Sequence, residues 1–361
     1  MKPLRRWLAG LLLLIACFPV AVYAQSLSLG GGDLRVMTYN ADEGTDYLEL
    51  ARASGTQQFL VAVGQTITQV RATNPAERMQ ALAKQIIAAG PALVSLQELD
   101  QWSSGPINTS TLTCGPTTVE FDMVQELLNA LTAQGGHYLV AAQATQYAFP
   151  PTPGLILPST FLCVQVANQI AILARTDLEP SRFQWSNPQS APFVAHTSFA
   201  TPIGTIPLPR AWVSVDAKFN NRVFRFIGTH LESVDPHIRE LQGGELRAGP
   251  ANTQKQVILA MDSNAQAAPL PQDSTYTDFI AAGYQDAWSV TYPLLPGFTC
   301  CQTQLVNNAV SQLYERSDLI LTLGNVNVQR IALFGTSQAS KTASGLWPSD
   351  HAGVAAQLVV E

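Results

Sequence analysis

Six short segments of this chain carry a side chain that can bind a hard cation, donate to an anion or move a proton. Val36-Met37-Thr38-Tyr39-Asn40 ends in an amide, Leu93-Val94-Ser95-Leu96-Gln97-Glu98 in a carboxylate and Phe226-Ile227-Gly228-Thr229-His230 in an imidazole. Val257-Ile258-Leu259-Ala260-Met261 runs into Asp262-Ser263-Asn264, Arg316-Ser317-Asp318 opens onto Leu319-Ile320-Leu321, and Trp347-Pro348-Ser349-Asp350-His351 precedes the apolar run Val354 to Val359. Together these groups suit phosphoester hydrolysis. A phosphoester anion repels hydroxide, so its site must offset phosphate charge, supply a deprotonated water and stabilise the leaving oxygen. Glu98, Asp262 and Asp350 are hard oxygen donors appropriate to Mg²⁺, Mn²⁺ or Ca²⁺. Asn40 and Asn264 can donate to phosphate oxygens without adding repulsion, while His351 and His230 can transfer protons near neutral pH.

An Asp-His pair alone carries little information; the apolar runs beside all six segments give it weight. Runs of this length, rich in β-branched and aromatic residues, predict strands at Leu34 to Tyr39, Leu93 to Leu96, Ile170 to Leu173, Trp212 to Val215, Val223 to Ile227, Val257 to Met261, Leu319 to Leu323 and Val354 to Val359. Between Asn74 and Gly90 the signals predict a helix: Asn74 as cap, Pro75 in the first turn, Glu77 three places on, apolar Met79, Leu82, Ile86 and Ile87, then Gly90-Pro91 as a stop. A second helix is expected from Asp122 to Gln134. Phe149 to Pro158 and Asn187 to Pro209 are rich in proline and apolar residues and are expected to be loops packed on the body.

The six segments, in this order, resemble the signature of the endonuclease/exonuclease/phosphatase superfamily, and the resemblance runs from about Leu34 to Val359. Arg239-Glu240-Leu241-Gln242 is similar to the family's Arg-x-x-Gln helix, and Gly297-Phe298-Thr299 to its Gly-Phe-Thr turn. The resemblance implies a single α/β domain over residues 33–361, a four-layer sandwich of two packed mixed β-sheets flanked by helices. It also implies a metal-dependent phosphodiesterase, nuclease-like or sphingomyelinase-like, in which Glu98, Asp262 and Asp350 hold Mg²⁺ (or Mn²⁺ or Ca²⁺), and Asn40 and Asn264 contact phosphate. His351, His230, Asp318 and Asp262 are then the catalytic groups, Asp318 orienting the ring of His351. The chain departs from the pattern in places. Met261 and Ser263 replace a glycine and an aromatic, Tyr39 stands for a tryptophan, and Gln169-Ile170-Ala171-Ile172-Leu173 lacks the family asparagine, with Asn168 out of register. The competing class is a non-catalytic binding protein that keeps the fold; the retained cluster of acids argues against it.

Composition fits this reading. At 361 residues and 47% hydrophobic, the chain can bury a large core. Lys2, Arg5 and Arg6 precede the apolar stretch Trp7 to Val22, and Val22-Tyr23-Ala24 suits cleavage, so residues 1–24 read as a secretory signal, with a secreted or periplasmic, monomeric product. Leu14-Ile15-Ala16-Cys17 also resembles a lipoprotein box, but its apolar sequel favours soluble export. Loss of the three basic residues takes the formal charge from −6 to −9, which disfavours tight, extended nucleic-acid binding. Partners are therefore a phosphoester substrate, with nucleic acid or phospholipid both open and no membrane span. Cys114, Cys163, Cys300 and Cys301 remain, an even number that reads as disulfides in an exported chain. The expected pairing is Cys114 with Cys163, while Cys300 and Cys301 either bridge each other or stay reduced. His137, His196 and His237 match nothing in the pattern and read as surface or structural residues.

Overall fold

The computed structural model describes residues 33–202 and 204–361. The expected signal segment, with Cys17, lies outside them. Two sheets dominate, and each is built around a parallel pair. In the eight-stranded sheet the pair is Leu34–Asn40 and Leu93–Gln97, with Val36 opposite Leu93 and Asn40 opposite Gln97. Gly353–Val360 flanks it antiparallel and Val326–Phe334 closes that edge. Thr160–Arg175 lies on the other side, followed by Gln101–Gly105 and Thr118–Asp122, and Tyr138–Ile156 also pairs with it. In the six-stranded sheet the parallel pair is Arg222–His230 and Gln256–Asp262, between Asp318–Leu323 on one side and Ala211–Phe219 and Phe183–Pro192 on the other.

The period-two alternation of each strand divides its residues between layers. Val36, Leu93, Ile172, Val213, Phe226, Ile258 and Ile320 point between the sheets and make one core cluster. The alternate residues Met37, Val94 and Leu173 face the helices Pro75–Ala89 and Met123–Ala133, packing on Met79, Leu82, Ile86, Leu127 and Leu131. Ile227, Leu259 and Leu321 face the other way, against Leu246 and Phe279 of the helices Pro236–Ala248 and Thr275–Ala281. Helix, sheet, sheet, helix is the four-layer sandwich expected from the sequence. Each fully buried Leu, Ile, Val or Phe in these layers contributes roughly 1.5–3 kcal/mol.

The two expected helices form: Asn74 accepts from Glu77 N as the cap signal predicts, and Asp122 accepts from Gln125 N at the start of the second. The two stretches expected as loops do not. Phe149 to Ile156 continues the long strand Tyr138–Ile156, and Asn187 to Leu208 contributes to Phe183–Pro192 and to the hairpin Thr197–Thr201 with Gly204–Leu208. Proline lacks a ladder donor but is tolerated at edges and bulges. Pro150 and Pro151 fall in the bulge between Phe149 and Thr152, and Phe183–Pro192 is an edge strand. Thr56–Thr73 is a helix without a sequence signal, since its cap residue is Gly55 and its interior carries Thr, Val and Gly64. Gly64 is required there, because a Cβ would collide with the backbone of Leu155. Cys114 and Cys163 are bridged, with Cα atoms 5.7 Å apart, and Cys300 and Cys301 form a vicinal pair. No helix among the described residues is long and apolar enough to cross a membrane.

Candidate active site

All six motif segments meet at one end of the sandwich. Parallel pairing brings the carboxyl ends of Leu34–Asn40, Leu93–Gln97, Arg222–His230 and Gln256–Asp262 to that end, and the antiparallel strands Asp318–Leu323 and Gly353–Val360 begin there. Register completes the arrangement. His230 lies opposite Asp262, which lies opposite Asp318. In period-two terms Asn40 follows Leu34 and Val36, His230 follows Phe224 and Phe226, Asp262 follows Ile258 and Ala260, and Asp318 precedes Ile320. The functional side chains therefore occupy the inward rows just beyond the last apolar layer, and the site is the polar mouth of the intersheet core.

Asn40 sits at its centre. Its Nδ2 donates to Glu98 Oε1 at 2.9 Å and to Asp262 Oδ2 at 3.0 Å, and its Oδ1 accepts from Asp42 N at 3.0 Å. Glu98 reaches this point from a left-handed turn (φ 55°) directly after its strand, and its Oε2 accepts from Glu43 N. Asp262 Oδ1 accepts from Asn264 N, which fixes the carboxylate. Burial works against the charge on Asp262, but the two histidines and the donors Asn40 and Asn264 outweigh it and hold its pKa at about 2. Burial pushes Glu98 well above the usual range, and Glu43 and Asp350 add to the shift.

The two histidines differ. Arg210 Nη1 lies 3.1 Å from His230 Nδ1 and Asn264 Nδ2 2.8 Å from Nε2, of which a neutral ring accepts from one only, and Asp262 Oδ2 is 3.5 Å from Nε2. Burial and then the Arg210 charge hold its pKa well below the ordinary value, so the ring stays neutral. His351 Nδ1 lies 2.8 Å from Asp318 Oδ2. Its Nε2 stands 3.9 Å from both Asp262 Oδ2 and Asp350 Oδ1. Burial opposes its charge, but Asp318, Asp350 and Asp262 outweigh burial and raise its pKa, so this ring is an imidazolium. Burial lifts Asp318 to about 6 and Asp350 to about 7 despite the His351 cation beside each.

A cleft of about 730 Å³ opens onto Glu98, His230, Asn264, Asp350 and His351. The ligand atoms of Glu98, His230 and Asp262 lie within 4.8 Å of one another, as do those of Asp262, Asp318 and His351. Asp350 belongs to neither group and approaches them across His351 Nε2. Two carboxylates converging on one amide, with charge uncompensated at Glu98, fit a hard divalent cation by donor type. Met261 points to the helix side of its sheet. Ser263 donates to Ser317 O and Ala265 O, so both departures from the family motif are absorbed outside the cleft. Gln242 accepts from Glu232 N and Arg239 donates to Glu232 O and Ser233 O, so the Arg-x-x-Gln helix clamps the loop after His230. Thr299 Oγ1 accepts from Ser317 N and Asp318 N. Arg316 pairs with Asp286 at 2.6 Å and is structural. His137, His196 and His237 are exposed.

Three groups of residues escaped sequence reasoning. Arg78, fully buried, donates to Ala41 O, Asp42 O, Thr73 O and Pro348 O, joining the loop after Asn40 to the loop before Asp350. Its signal was legible, because Arg78, Leu82 and Ile86 form one helical stripe and Arg78 interrupts its apolar pattern. Asn168 interrupts the buried row Val164, Val166, Ile170, Ile172; its Nδ2 donates to Glu43 Oε2 and Asp100 Oδ1, both at 2.8 Å. Tyr147 also donates to Glu43, and burial raises the pKa of Glu43 and Asp100, each of which feels the other. This network holds the backbone donor of Glu98. Arg210 is the single Lys or Arg among the described residues lining the cleft.

No family model and no curated protein matches the sequence. Solved structures do. An endonuclease/exonuclease/phosphatase family protein from Bacteroides thetaiotaomicron is 15% identical, with a TM-score of 0.56 over 91% of this chain and 98% of that one. A mannosyl-6-phosphatase from the same organism is 16% identical, with a TM-score of 0.52 over 90% and 99%. TDP2 of D. rerio, complexed with a single-strand DNA product, is 17% identical, with a TM-score of 0.52 over 91% and 99%. The chain has the endonuclease/exonuclease/phosphatase fold.

Proposed function

We propose that the protein is an exported phosphodiesterase that uses a divalent metal ion. The observation that carries this reading is the convergence of Glu98 and Asp262 on Asn40, beside the His351–Asp318 pair, with Glu98 and His351 opening onto one cleft. Glu98 and Asp262 would hold the ion, with Asp350 at its margin, and Mg²⁺ or Mn²⁺ suits these oxygens. When bound, the ion neutralises phosphate charge and lowers the pKa of water. The chain's own groups do the rest. The Arg210 guanidinium faces the cleft as a donor to phosphate oxygens, while Asn264, whose Nδ2 already meets His230 Nε2 and Leu231 O, positions that ring. His351, charged and fixed through Nδ1 by Asp318, presents Nε2–H to charge developing on the phosphoryl group. This favours a donor role for His351 over the removal of a proton from water, because an imidazolium has no free lone pair. Neutral His230 orients Asp262 and can accept or relay a proton on the leaving side.

The Cys114–Cys163 bridge supports export, since oxidising compartments preserve such bonds. The cleft wall favours substrates that present one phosphodiester over long polyanions. Arg210 is the single Lys or Arg among the described residues that line it, while Asp46, Glu43, Glu232 and Asp235 line it alongside Leu48, Phe199 and Val234. The test is a Mg²⁺-containing screen of DNA, RNA, sphingomyelin, phosphoinositides and a chromogenic bis-aryl phosphodiester, with and without EDTA. Cleavage of a small phosphodiester that EDTA abolishes is expected; no turnover of any of them would overturn the proposal.

A further inference from the structure

Cys300 and Cys301 stand in the wall of the same cleft, a pair of sulfurs beside a site otherwise built from oxygen and nitrogen. Their positions are fixed by backbone. Cys300 N donates to Glu315 O, Glu315 N donates to Cys300 O, and Gln302 N donates to Asp350 O. These bonds seat Cys301 Sγ 3.9 Å from His351 Nε2. The ligand atoms of Cys300, Cys301 and His351 all lie within 4.8 Å of one another. Donors around a tetrahedral zinc ion, with Zn–S near 2.3 Å and Zn–N near 2.0 Å, stand roughly 3.5–3.8 Å apart. The Cys301 Sγ to His351 Nε2 distance of 3.9 Å approaches that separation, and the two sulfurs, bonded to each other in this state, must part on reduction to reach it. The other nitrogen of His351 already meets Asp318, the outer carboxylate that ordinarily orients a metal-binding imidazole.

The geometry points to a second, redox-gated metal site, in which the reduced thiolates of Cys300 and Cys301, with His351 Nε2, bind a thiophilic divalent cation of the Zn²⁺ class. Thiolates select such ions as firmly as Glu98 and Asp262 select hard ones, so two metals of different character compete for one histidine. In the disulfide state both sulfurs are spent on each other and His351 remains available. A dithiol reductant supplies the two electrons and two protons that cleave the sulfur–sulfur bond and leaves as its own cyclic disulfide. Zinc then displaces three protons to solvent, one from each thiol and one from Nε2 of the imidazolium, and binds the lone pair that the last of these frees. Binding of zinc is independent of the proposed phosphodiesterase reaction; its inhibitory effect rests on the role given there to His351.

The full chain, oxidised or reduced and desalted under argon, is titrated with Cd²⁺ while thiolate-to-metal absorbance is followed in the ultraviolet, and with Zn²⁺ by calorimetry. One ion per reduced chain with strong absorbance is expected, and none in the oxidised chain. Cys300→Ser with Cys301→Ser should abolish the absorbance, and either single substitution should weaken Zn²⁺ binding by about tenfold or more. The single variants and the redox comparison on the unsubstituted chain decide the matter even if the double variant does not fold. With Mg²⁺ present, one equivalent of Zn²⁺ should lower turnover by the reduced chain by about tenfold or more and leave the oxidised chain unaffected. Absence of the absorbance in the reduced chain, or its persistence in the folded double variant, overturns the proposal. If the chain hydrolyses no phosphodiester, the absorbance still decides whether the site exists.

Discussion

Replacing Arg78 by Met tests whether a buried cation outside the cleft sets the geometry inside it. The Arg78 side chain is 0% exposed and lies 3.4 Å from the Asp42 carboxylate, itself 6% exposed. Methionine fills most of the volume but leaves that carboxylate without its partner, and breaking a buried pair from one side costs about 3–5 kcal/mol. The carbonyls of Ala41, Asp42 and Pro348 lose a charged donor at the same time. With an unfolding entropy of about 2.1 cal/mol/K per residue over about 330 residues, each kcal/mol is worth about 1.5 °C, and the melting temperature should fall by roughly 4–7 °C. Activity should fall as well at a temperature where the variant is folded. Arg78 holds together the loop after Asn40 and the loop before Asp350, and a displacement near 1 Å at a reacting centre costs on the order of a hundredfold. Calorimetric melting and turnover of the chromogenic phosphodiester below the transition measure the two effects. A melting temperature within about 2 °C of the parent would refute the argument that this guanidinium is held by its partners. Arg78→Lys should recover only part of either loss, since one ammonium cannot span all of the carbonyls.

His351→Ala should lower kcat by about a hundredfold or more with little change in melting temperature. Asp318→Asn should move kcat in the same direction by less, because the imidazole stays in place; steady-state kinetics with melting controls separates the two, and full activity in His351→Ala would sink the mechanism. Mg²⁺ should raise thermal stability and activity together by relieving repulsion among Glu98, Glu43 and Asp350, and activity that survives exhaustive EDTA treatment contradicts the metal assignment. The Cys114–Cys163 bridge spans 49 positions, so removing it with a Cys114→Ser, Cys163→Ser pair should cost about 4 kcal/mol by the loop-entropy relation, read from urea melts.

The order of the six motif segments made the strand ends legible, because each ends or opens an apolar run and the sandwich places those ends together. The helices at Pro75–Ala89 and Met123–Ala133 were legible for a local reason: the cap of the first and the apolar spacing of the second depend on neighbours a few residues away. What escaped detection depended on distant partners. Phe149 to Ile156 becomes a strand because Thr160–Arg175 returns beside it, and proline content alone could not reveal that pairing. The same applies to Asn168, whose place in the site follows from Glu43 and Asp100, 125 and 68 positions away.

The pairing of Leu34–Asn40 with Gly353–Val360 shapes how the protein must be made. The first of these strands sits at the middle of its sheet, and Ser349 beside the last one bonds Asn40 O across 309 positions. A chain growing from its amino end cannot complete that sheet until synthesis has passed Val360. Until then one side of Leu34–Asn40 is an open apolar edge, the kind of surface that recruits other strands. That edge is covered, and Asn40 and His351 come together, only once the closing strand is in place.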